Sequence, residues 1–333
     1  MTRIAVVGAG AWGTTLGDLL ARKGEPVTIW AHEPEVVASI NREHYNHLFL
    51  ADAPLAGGMR ASGDIAEVVR DAEVIVSAAP SHVVRAVMAR AAKAISGRPL
   101  VVSVSKGLDP ERLSTPCAVL RDVLPAETDL AALSGPSFAR EVYERQPTAV
   151  VAASQDNDVA QRVQQIFSTA SFRVYSLTDV LGVELAGALK NVIALAAGIL
   201  EGLGLGHNTR AALITRGLAE IMRLGVTLGA EAATFAGLAG MGDLILTATG
   251  PLSRNHMLGV ALGRGESLEE ALAGRPTVAE GVNTARAAVA LGERHRVELP
   301  IAQQVTEVLF HGKAPRQAIA DLMERELKAE QWR

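Results

Sequence analysis

Two patterns of hydrophobic residues divide the chain near residue 178. Before it, apolar runs of strand length lie at residues 3–8, 27–30, 74–78, 100–105, 130–134 and 149–152, and residues 172–175 are a candidate for a last strand. Amphipathic stretches between them predict helices at 11–23, 81–95, 111–123 and 156–167. Nearly continuous apolar strands separated by helices are typical of a doubly wound parallel sheet.

After residue 178 almost every segment has the spacing of a helix. Gly and Pro punctuate the predicted helices at 179–200, 209–228, 254–262, 278–294, 301–309 and 315–328. The sequence therefore predicts an α/β domain at residues 1–178 followed by an all-α domain at residues 179–333. We expect a ligand cleft between them, because sites favour domain junctions and the carboxyl ends of parallel strands.

Composition narrows the class of protein. The 333 residues are 49% hydrophobic, with a formal net charge of −4 and no long run of one sign. Such a chain can bury two cores, and its charge predicts neither a nucleic-acid partner nor an anionic membrane. The lone cysteine, Cys117, excludes an intrachain disulfide and favours a cytoplasmic protein. Its apolar surroundings predict a packed core thiol, and no metal-ligand spacing is present.

Residues 8–13 form a G-x-G-x-x-G string directly after a clean apolar strand. Gly8 permits the tight turn, Gly10 lets the backbone approach a pyrophosphate, and Gly13 lets the following helix pack on the strand. The helix N-terminus offers free N–H groups to the anion. An ordinary glycine turn is the alternative, but the strand–turn–helix context favours a Rossmann-like dinucleotide site for NAD or NADP.

The end of the second strand does not decide between NAD and NADP. It reads Ile29-Trp30-Ala31-His32-Glu33, with no acid directly at the tip. His32 could meet the 2′-phosphate of NADP and Glu33 a ribose hydroxyl of NAD, or both could lie in an exposed loop. We expect use of both cofactors.

Lys190 lies in an apolar stretch long enough to cross a membrane. Glu184, Lys190 and Asn191 interrupt residues 180–200, which favours a buried helix with a functional site over membrane insertion. Burial lowers the pKa of a lysine, so Lys190 could exchange a proton with a substrate alcohol. Asn191 could hydrogen-bond the substrate or orient the lysine. Alternatively, Lys190 extends to solvent at a helix edge.

Four further segments carry candidate substrate ligands. Lys106 follows a strand of the sheet, and Gly135 and Ser137 follow the next, where ligands bind. Each polar residue here could instead be a loop residue or a local cap.

The other two segments lie in the helical half. Asp243 and Thr247 are four residues apart and would share a face of a helix, so each could bind a substrate hydroxyl, and Asp243 could pair with Lys190. Ser253 is a plausible N-cap that places Arg254 at a positive helix end, suited to a phosphate. The plainer interpretations are an N-cap aspartate and a surface arginine.

Taken together, these segments resemble the bacterial-type NAD(P)-dependent glycerol-3-phosphate dehydrogenase family over nearly the whole chain. The matching strings are GAGAWG at 8–13, SVSKGL at 103–108, LSGPSFA at 133–139, GALKN at 187–191, GDLILT at 242–247, SRN at 253–255 and VAEG at 278–281.

The resemblance implies interconversion of sn-glycerol 3-phosphate and dihydroxyacetone phosphate, supplying glycerol 3-phosphate for phospholipid synthesis in the cytosol, often by a dimer. It implies that Lys190 is the proton acceptor. It implies substrate contacts from Lys106, Gly135, Ser137, Asp243, Arg254 and Asn255, with Arg254 on the phosphate. It adds to the glycine turn the cofactor residues Ala11, Trp12, His32, Phe49, Lys106, Ala139, Arg254, Val278 and Glu280.

The chain departs from the family pattern in places. Residues 45–52 read YNHLFLAD where the family usually has a Tyr-Leu-Pro-Gly run, so Phe49 stands where a tyrosine is expected. Met241 replaces a usual leucine, and Ala11 lacks a hydroxyl sometimes found there.

Two alternatives stay open at this point. A β-hydroxyacid or 6-phosphogluconate-type dehydrogenase has the same architecture and also uses a helical lysine. A catalytically silent dinucleotide-binding sensor would keep the glycine turn alone. Asp243 and Arg254 favour the phosphorylated substrate, and the intact Lys190 and Lys106 favour an enzyme.

Overall fold

The computed structural model describes residues 1–273, 279–327 and 329–330. Eight strands form one sheet: β1 (Ile4–Val7), β2 (Val27–Trp30), β3 (Arg60–Ser62), β4 (Val74–Ser77), β5 (Leu100–Ser103), β6 (Asp129–Ser134), β7 (Thr148–Ala153) and β8 (Phe172–Leu177). Their order is β3-β2-β1-β4-β5-β6-β7-β8. The switch in direction of strand order between β1 and β4 is where a doubly wound sheet opens a ligand crevice.

Seven helices accompany the sheet: α1 (Ala11–Arg22), α2 (Pro34–Glu43), α3 (Ile65–Val69), α4 (Val84–Ala92), α5 (Pro116–Val123), α6 (Ala139–Tyr143) and α7 (Asn157–Phe167). The doubly wound prediction is confirmed, with one local difference: β6 and β7 pair antiparallel. The connection between them contains only the five-residue helix α6. It returns the chain beside β6 in the opposite direction.

The rest of the described chain is helical, as predicted. Its helices are α8 (Val180–Gly202), α9 (His207–Thr227), α10 (Ala232–Ala236), α11 (Asp243–Thr249), α12 (Arg254–Gly263), α13 (Leu268–Leu272), α14 (Glu280–His295), α15 (Pro300–Phe310) and α16 (Pro315–Met323), with a π-helical turn at Leu238–Gly242. Strand β8 ends one residue before the predicted boundary at 178 and α8 begins two residues after it. The boundary itself stays a prediction.

Helix α8 is the centre of the helical half. It is long and apolar enough to cross a membrane, yet the whole of its most apolar window is buried within the protein. The core around it includes Leu108, which comes from the loop after β5 and so ties the sheet to the helices. The apolar length of α8 is therefore explained by burial on all sides.

Helices α8 and α12 touch through their backbones. A Cβ placed on Gly198 would lie 2.0 Å from the carbonyl oxygen of His256, and one on Gly259 would lie 2.1 Å from that of Leu195. Gly202 and Gly263, one turn further along each helix, are packed equally tightly. Because no side chain fits between them, these glycines fix how close the two helices lie.

Candidate active site

The glycine turn has the geometry that dinucleotide binding requires. Gly8 has φ +120°, and a Cβ there would lie 2.8 Å from the backbone of Ala78 at the end of β4. Gly13 packs so closely that its Cβ would lie 2.0 Å from the Gly8 carbonyl oxygen. Gly10 is the N-cap of α1, and within the described chain no side chain caps that helix and nothing lies within 4 Å of its Cβ position. The N-terminus of α1 therefore has no side-chain cap among the described residues, and the space beside Gly10 is open, as an anion site needs.

The other predicted cofactor residues differ in their burial and in the contacts that they make. Trp12 has an indole Nε1 that is buried without a hydrogen-bond partner among the described residues, and its ring lies 6.4 Å from that of Phe172. Ala139 is next to α1, because Thr15 Oγ1 donates to its carbonyl oxygen at 3.3 Å. His32 is exposed at the end of β2.

Phe49 packs with Trp12 against the sheet core, and its backbone N–H donates to Asn46 Oδ1 at 3.1 Å. Ala11 is the first residue of α1. The prediction for Val278 lies outside the described residues.

The buried Lys190 and Asp243 and the half-buried Lys106 meet in one cluster. Asp243 Oδ2 accepts from Lys106 Nζ at 2.8 Å, and its Oδ1 lies 3.3 Å from Lys190 Nζ. Lys190 Nζ also donates to Thr247 Oγ1 at 2.6 Å, and Thr247 donates to the Asp243 carbonyl oxygen at 2.6 Å. Asp243 pairs with Lys190, as predicted. Asp243 and Thr247 share one face of α11, which was also predicted.

Lys190 does not extend to solvent, since it is only 5% exposed. Burial lowers its pKa to about 8; the Asp243 carboxylate opposes this shift, while the nearby charge of Lys106 adds to it. An amine with a pKa near 8 is present in both protonation states around neutral pH, which suits proton exchange with an alcohol.

Lys106 joins this cluster to the loop after β6. Its Nζ donates to the Gly135 carbonyl oxygen at 2.8 Å and lies 3.3 Å from Ser137 Oγ. Gly135 has φ +137°, and a Cβ there would lie 3.0 Å from Val150 Cα. The loop therefore needs glycine at this position to bring its carbonyl to the lysine.

A short path of contacts connects the lysine cluster to the glycine turn. Gly8 abuts the backbone of Ala78, and Ser105 Oγ donates to the carbonyl oxygen of the adjacent Ala79 at 2.6 Å. Lys106 is the next residue. The amines and the dinucleotide turn thus share the same end of the sheet.

Three predicted ligands use their side chains within the protein. Ser253 is the N-cap of α12 and accepts from the His256 N–H at 3.2 Å. Asn255 Nδ2 donates to Asn191 Oδ1 at 3.0 Å, and its own Oδ1 accepts from the Gly281 N–H at 2.9 Å. Asn191 Nδ2 in turn donates to the Lys106 carbonyl oxygen at 3.2 Å. These amides hold α12, α8 and the Lys106 loop together.

Arg254 and Glu280 lie at the edge of the same region. The Arg254 side chain is exposed, yet surrounding protein atoms lower its pKa, an effect that Glu280 opposes. A guanidinium remains charged throughout. The Glu280 carboxylate accepts from the Ser81 N–H at 3.0 Å and from Ser81 Oγ at 2.6 Å. This contact joins α14 to the loop after β4.

Sequence reasoning missed Ser81, Asn46 and Thr14. Ser81 is 199 residues from Glu280, and Asn46 is 37 residues from the Ala9 carbonyl oxygen to which it donates. No local spacing links residues so far apart. Within residues 45–52, the side chain that donates to the glycine turn is that of Asn46 and not that of Phe49.

The fold and the buried amine beside an open glycine turn define a nicotinamide-dinucleotide-dependent oxidoreductase. The sequence model for the N-terminus of NAD-dependent glycerol-3-phosphate dehydrogenase matches residues 3–160, and the model for its C-terminus matches residues 179–320. The chain therefore belongs to the NAD-dependent glycerol-3-phosphate dehydrogenase family.

Individual members of this family are similar to the chain over nearly its whole length. The chain is 53% identical over 332 residues to the glycerol-3-phosphate dehydrogenase [NAD(P)+] of Geobacter sulfurreducens, covering 99% of each chain. It is 51% identical over 330 residues to that of Geobacter sp. strain M21, covering 98% of each. The crystal structure of glycerol-3-phosphate dehydrogenase from Coxiella burnetii has a TM-score of 0.94 and 37% identity, covering 97% of this chain and 99% of that one. The resemblance predicted from the motifs is confirmed, and the chain is an NAD(P)-dependent dehydrogenase rather than a silent sensor.

Proposed function

We propose that this chain interconverts sn-glycerol 3-phosphate and dihydroxyacetone phosphate, with Lys190 as general base in oxidation and general acid in reduction. The observation that carries the proposal is the buried Lys190 amine, 3.3 Å from Asp243 Oδ1 and next to Lys106. Two cations around one carboxylate leave net positive charge where an alkoxide oxygen would develop.

The residues present fit a nicotinamide dinucleotide. The uncapped N-terminus of α1, the space beside Gly10 and the unpaired Trp12 Nε1 all lack a protein partner in the described chain. When bound, the nicotinamide supplies or accepts the hydride. The residues proposed to hold the cofactor are Gly8, Gly10, Ala11, Trp12, Gly13, His32, Phe49, Lys106, Ala139, Arg254, Val278 and Glu280.

The proton step belongs to Lys190. In oxidation its neutral amine takes the proton of the substrate hydroxyl, and in reduction its ammonium donates a proton to the carbonyl oxygen. Asp243 stabilises the ammonium form, and Thr247 orients the amine by accepting a hydrogen bond at 2.6 Å. Lys106 lies on the other oxygen of Asp243 and can donate to the same substrate region.

Arg254 would hold the substrate phosphate at the N-terminus of α12. Ser253 contributes by capping that helix, and Asn191 and Asn255 contribute by fixing α12 against α8. Lys106, Gly135, Ser137, Asp243 and Thr247 would complete the substrate site.

A substitution at Arg254 tests the phosphate assignment. In the reduction assay, with loss of NADPH or NADH absorbance as the readout, Arg254→Ala should raise KM for dihydroxyacetone phosphate by about 100-fold, the value of a charge-assisted bidentate contact. Its kcat/KM for unphosphorylated dihydroxyacetone should stay close to that of the wild type.

Three outcomes would contradict parts of the proposal. An equal loss for both ketones would remove Arg254 from the phosphate site, and a loss of cofactor affinity with an unchanged KM for dihydroxyacetone phosphate would leave it only the cofactor contact. Wild-type protein that reduces the keto form of a hydroxyacid but not dihydroxyacetone phosphate would establish the hydroxyacid alternative.

We further propose that the enzyme works as a cytoplasmic homodimer, uses both NADP and NAD, and supplies glycerol 3-phosphate for phospholipid synthesis. The buried, unpaired Cys117 supports a reducing compartment. Light scattering coupled to size-exclusion chromatography measures the molar mass and so tests the dimer. A molar mass equal to that of one chain would contradict it.

A further inference from the structure

Asn46 is a fully buried residue in the loop between α2 and β3, and both polar atoms of its side chain are hydrogen-bonded. Its Nδ2 donates to the Ala9 carbonyl oxygen at 2.8 Å and to Thr14 Oγ1 at 2.8 Å. Its Oδ1 accepts from the Phe49 N–H at 3.1 Å, and its exposed fraction is 0%. The amide therefore joins residues 45–52 to the middle of the glycine turn.

The Ala9 carbonyl oxygen receives two donors. Besides Asn46 Nδ2, Thr14 Oγ1 donates to it at 3.1 Å. A carbonyl oxygen has two lone pairs, so both are occupied on the protein side of the turn. The plane of the peptide between Ala9 and Gly10 is thereby fixed.

Fixing this carbonyl also aims the next N–H group. The described peptide bonds are trans, and in a trans peptide the carbonyl and the following N–H point in opposite directions. Holding the Ala9 oxygen towards Asn46 therefore turns the Gly10 N–H towards the other side. Gly10 itself borders open space, because the described chain places nothing within 4 Å of its Cβ position.

We propose that Asn46 is a positioning residue for the dinucleotide: it holds the Ala9–Gly10 peptide in the orientation that donates to the pyrophosphate. The proposal rests on the cofactor site proposed above. It gives residues 45–52 a second role in cofactor affinity, through a buried amide, beside the contact proposed for Phe49.

Asn46→Asp tests this role because it keeps the shape and removes the donors. A carboxylate cannot donate, and it would repel the Ala9 carbonyl oxygen instead of holding it. We expect the Kd for NADPH and for NADH, from fluorescence titration, to rise by roughly tenfold or more, since the turn loses a fixed orientation. KM for dihydroxyacetone phosphate at saturating cofactor should change far less.

Asn41→Asp is the matched control. Asn41 is also held in the sheet half by two backbone hydrogen bonds, with Nδ2 donating to the Ala61 carbonyl oxygen at 2.8 Å and Oδ1 accepting from its N–H at 2.9 Å. Both variants should lose thermal stability. Only Asn46→Asp should lose cofactor affinity, with Asn41→Asp staying within about twofold of the wild type because its contacts lie outside the turn.

Thr14 provides a second route if Asn46→Asp fails to fold. Thr14→Val keeps the branched shape but removes the other donor to Ala9, and should raise the cofactor Kd in the same direction. Thr14→Ser keeps the hydroxyl and should restore the wild-type Kd. A Kd for Thr14→Val equal to that of Thr14→Ser would overturn the proposal, as would equal Kd values for Asn46→Asp and Asn41→Asp.

Gly10→Val separates this proposal from the cofactor site itself. The backbone of Gly10 is extended, with φ −63° and ψ 174°. Valine can adopt this conformation, and its side chain would then occupy the open space. Wild-type NADPH binding by Gly10→Val would show that the proposed cofactor site is wrong. Lost binding in Gly10→Val with normal binding in Asn46→Asp would overturn only the role of Asn46.

Discussion

A single amine, Lys190 Nζ, sets the pH dependence expected of the reaction. Burial lowers its pKa to about 8. Oxidation needs the neutral amine, so kcat/KM for glycerol 3-phosphate should rise as the pH increases through about 8. Reduction needs the ammonium, so kcat/KM for dihydroxyacetone phosphate should fall over the same range. Initial rates in both directions from pH 6 to 10 check this.

Two variants and one control test the assignment. Lys190→Ala should abolish turnover while NADPH still binds, whereas Lys23→Ala, which removes a lysine that contacts the end of α7, should retain turnover. Asp243→Asn removes the carboxylate that raises the pKa of Lys190, so the residual oxidation profile should move to lower pH. Profiles of the same slope in both directions would exclude Lys190 as the titrating group.

At this scale the sequence revealed residues whose chemistry conflicts with their surroundings. Lys190 stood out because a charged residue interrupts an apolar helix, and Thr247 because it lies four residues after Asp243. Asn46 could not be found in this way, since an asparagine in a loop is ordinary and its partner Ala9 is distant in sequence. Whether a polar residue caps, braces or binds depends on tertiary contacts.

Between elements, the contact of α8 with α12 should be the most sensitive to substitution. Gly259→Ala would place a methyl group 2.1 Å from the Leu195 carbonyl oxygen, and neither helix backbone can move aside alone. We expect the free energy of unfolding to fall by at least about 2 kcal/mol, because overpacking here displaces backbone rather than a rotatable side chain. Urea denaturation followed by circular dichroism measures it.

Gly57→Ala is the control, since within the described chain nothing lies within 4 Å of that Cβ position. It should change the free energy of unfolding by less than about 0.5 kcal/mol. A Gly259→Ala variant as stable as Gly57→Ala would mean that the helices separate easily.

Element types were predictable from periodicity, but some boundaries and pairings were not. The helix predicted at 111–123 begins at Pro116, because Asp109 Oδ1 accepts from the N–H groups of Glu111 and Arg112 and closes a loop there. Helix α2 and strand β3 were not predicted at all. Their short segments gain their structure from contact with the rest of the sheet, which a local pattern does not contain.

Across the whole molecule, two buried carboxylates connect helices that are distant in sequence. Glu184 of α8 accepts from the Cys117 N–H at the start of α5 at 2.8 Å. Glu220 of α9 accepts from the N–H groups of Ile301 and Ala302 at the start of α15, both at 3.0 Å. Each carboxylate lies at the positive end of a helix, where it satisfies free N–H groups.

These carboxylates make global stability depend on pH. Burial raises the pKa of Glu184 and that of Glu220 to about 7, from an ordinary 4.5. The folded state then binds protons more tightly than the unfolded state. The contribution of each carboxyl group to the free energy of unfolding is therefore fully present below pH 4.5 and is lost as the pH rises towards 7. By linkage each group contributes a decrease of up to about 3 kcal/mol.

Urea titrations at several pH values between 4.5 and 8 measure this dependence. Glu184→Gln and Glu220→Gln should each flatten it, whereas Glu266→Gln, at an exposed position, should leave it as in the wild type. An unaltered slope in both buried variants would show that neither carboxylate is protonated in the folded protein.

The glycine contact between α8 and α12 has a consequence for the choice of substrate. Lys190 lies on one of these helices and Arg254 on the other, and the two helices are held together by the backbone contacts of Gly198 and Gly259 and by the Asn191–Asn255 hydrogen bond. These contacts therefore set the distance between the amine on α8 and the guanidinium on α12. A phosphorylated alcohol with an extra carbon, seated by its phosphate, would present the wrong atom to the amine, so the enzyme should select substrates by length as well as by charge.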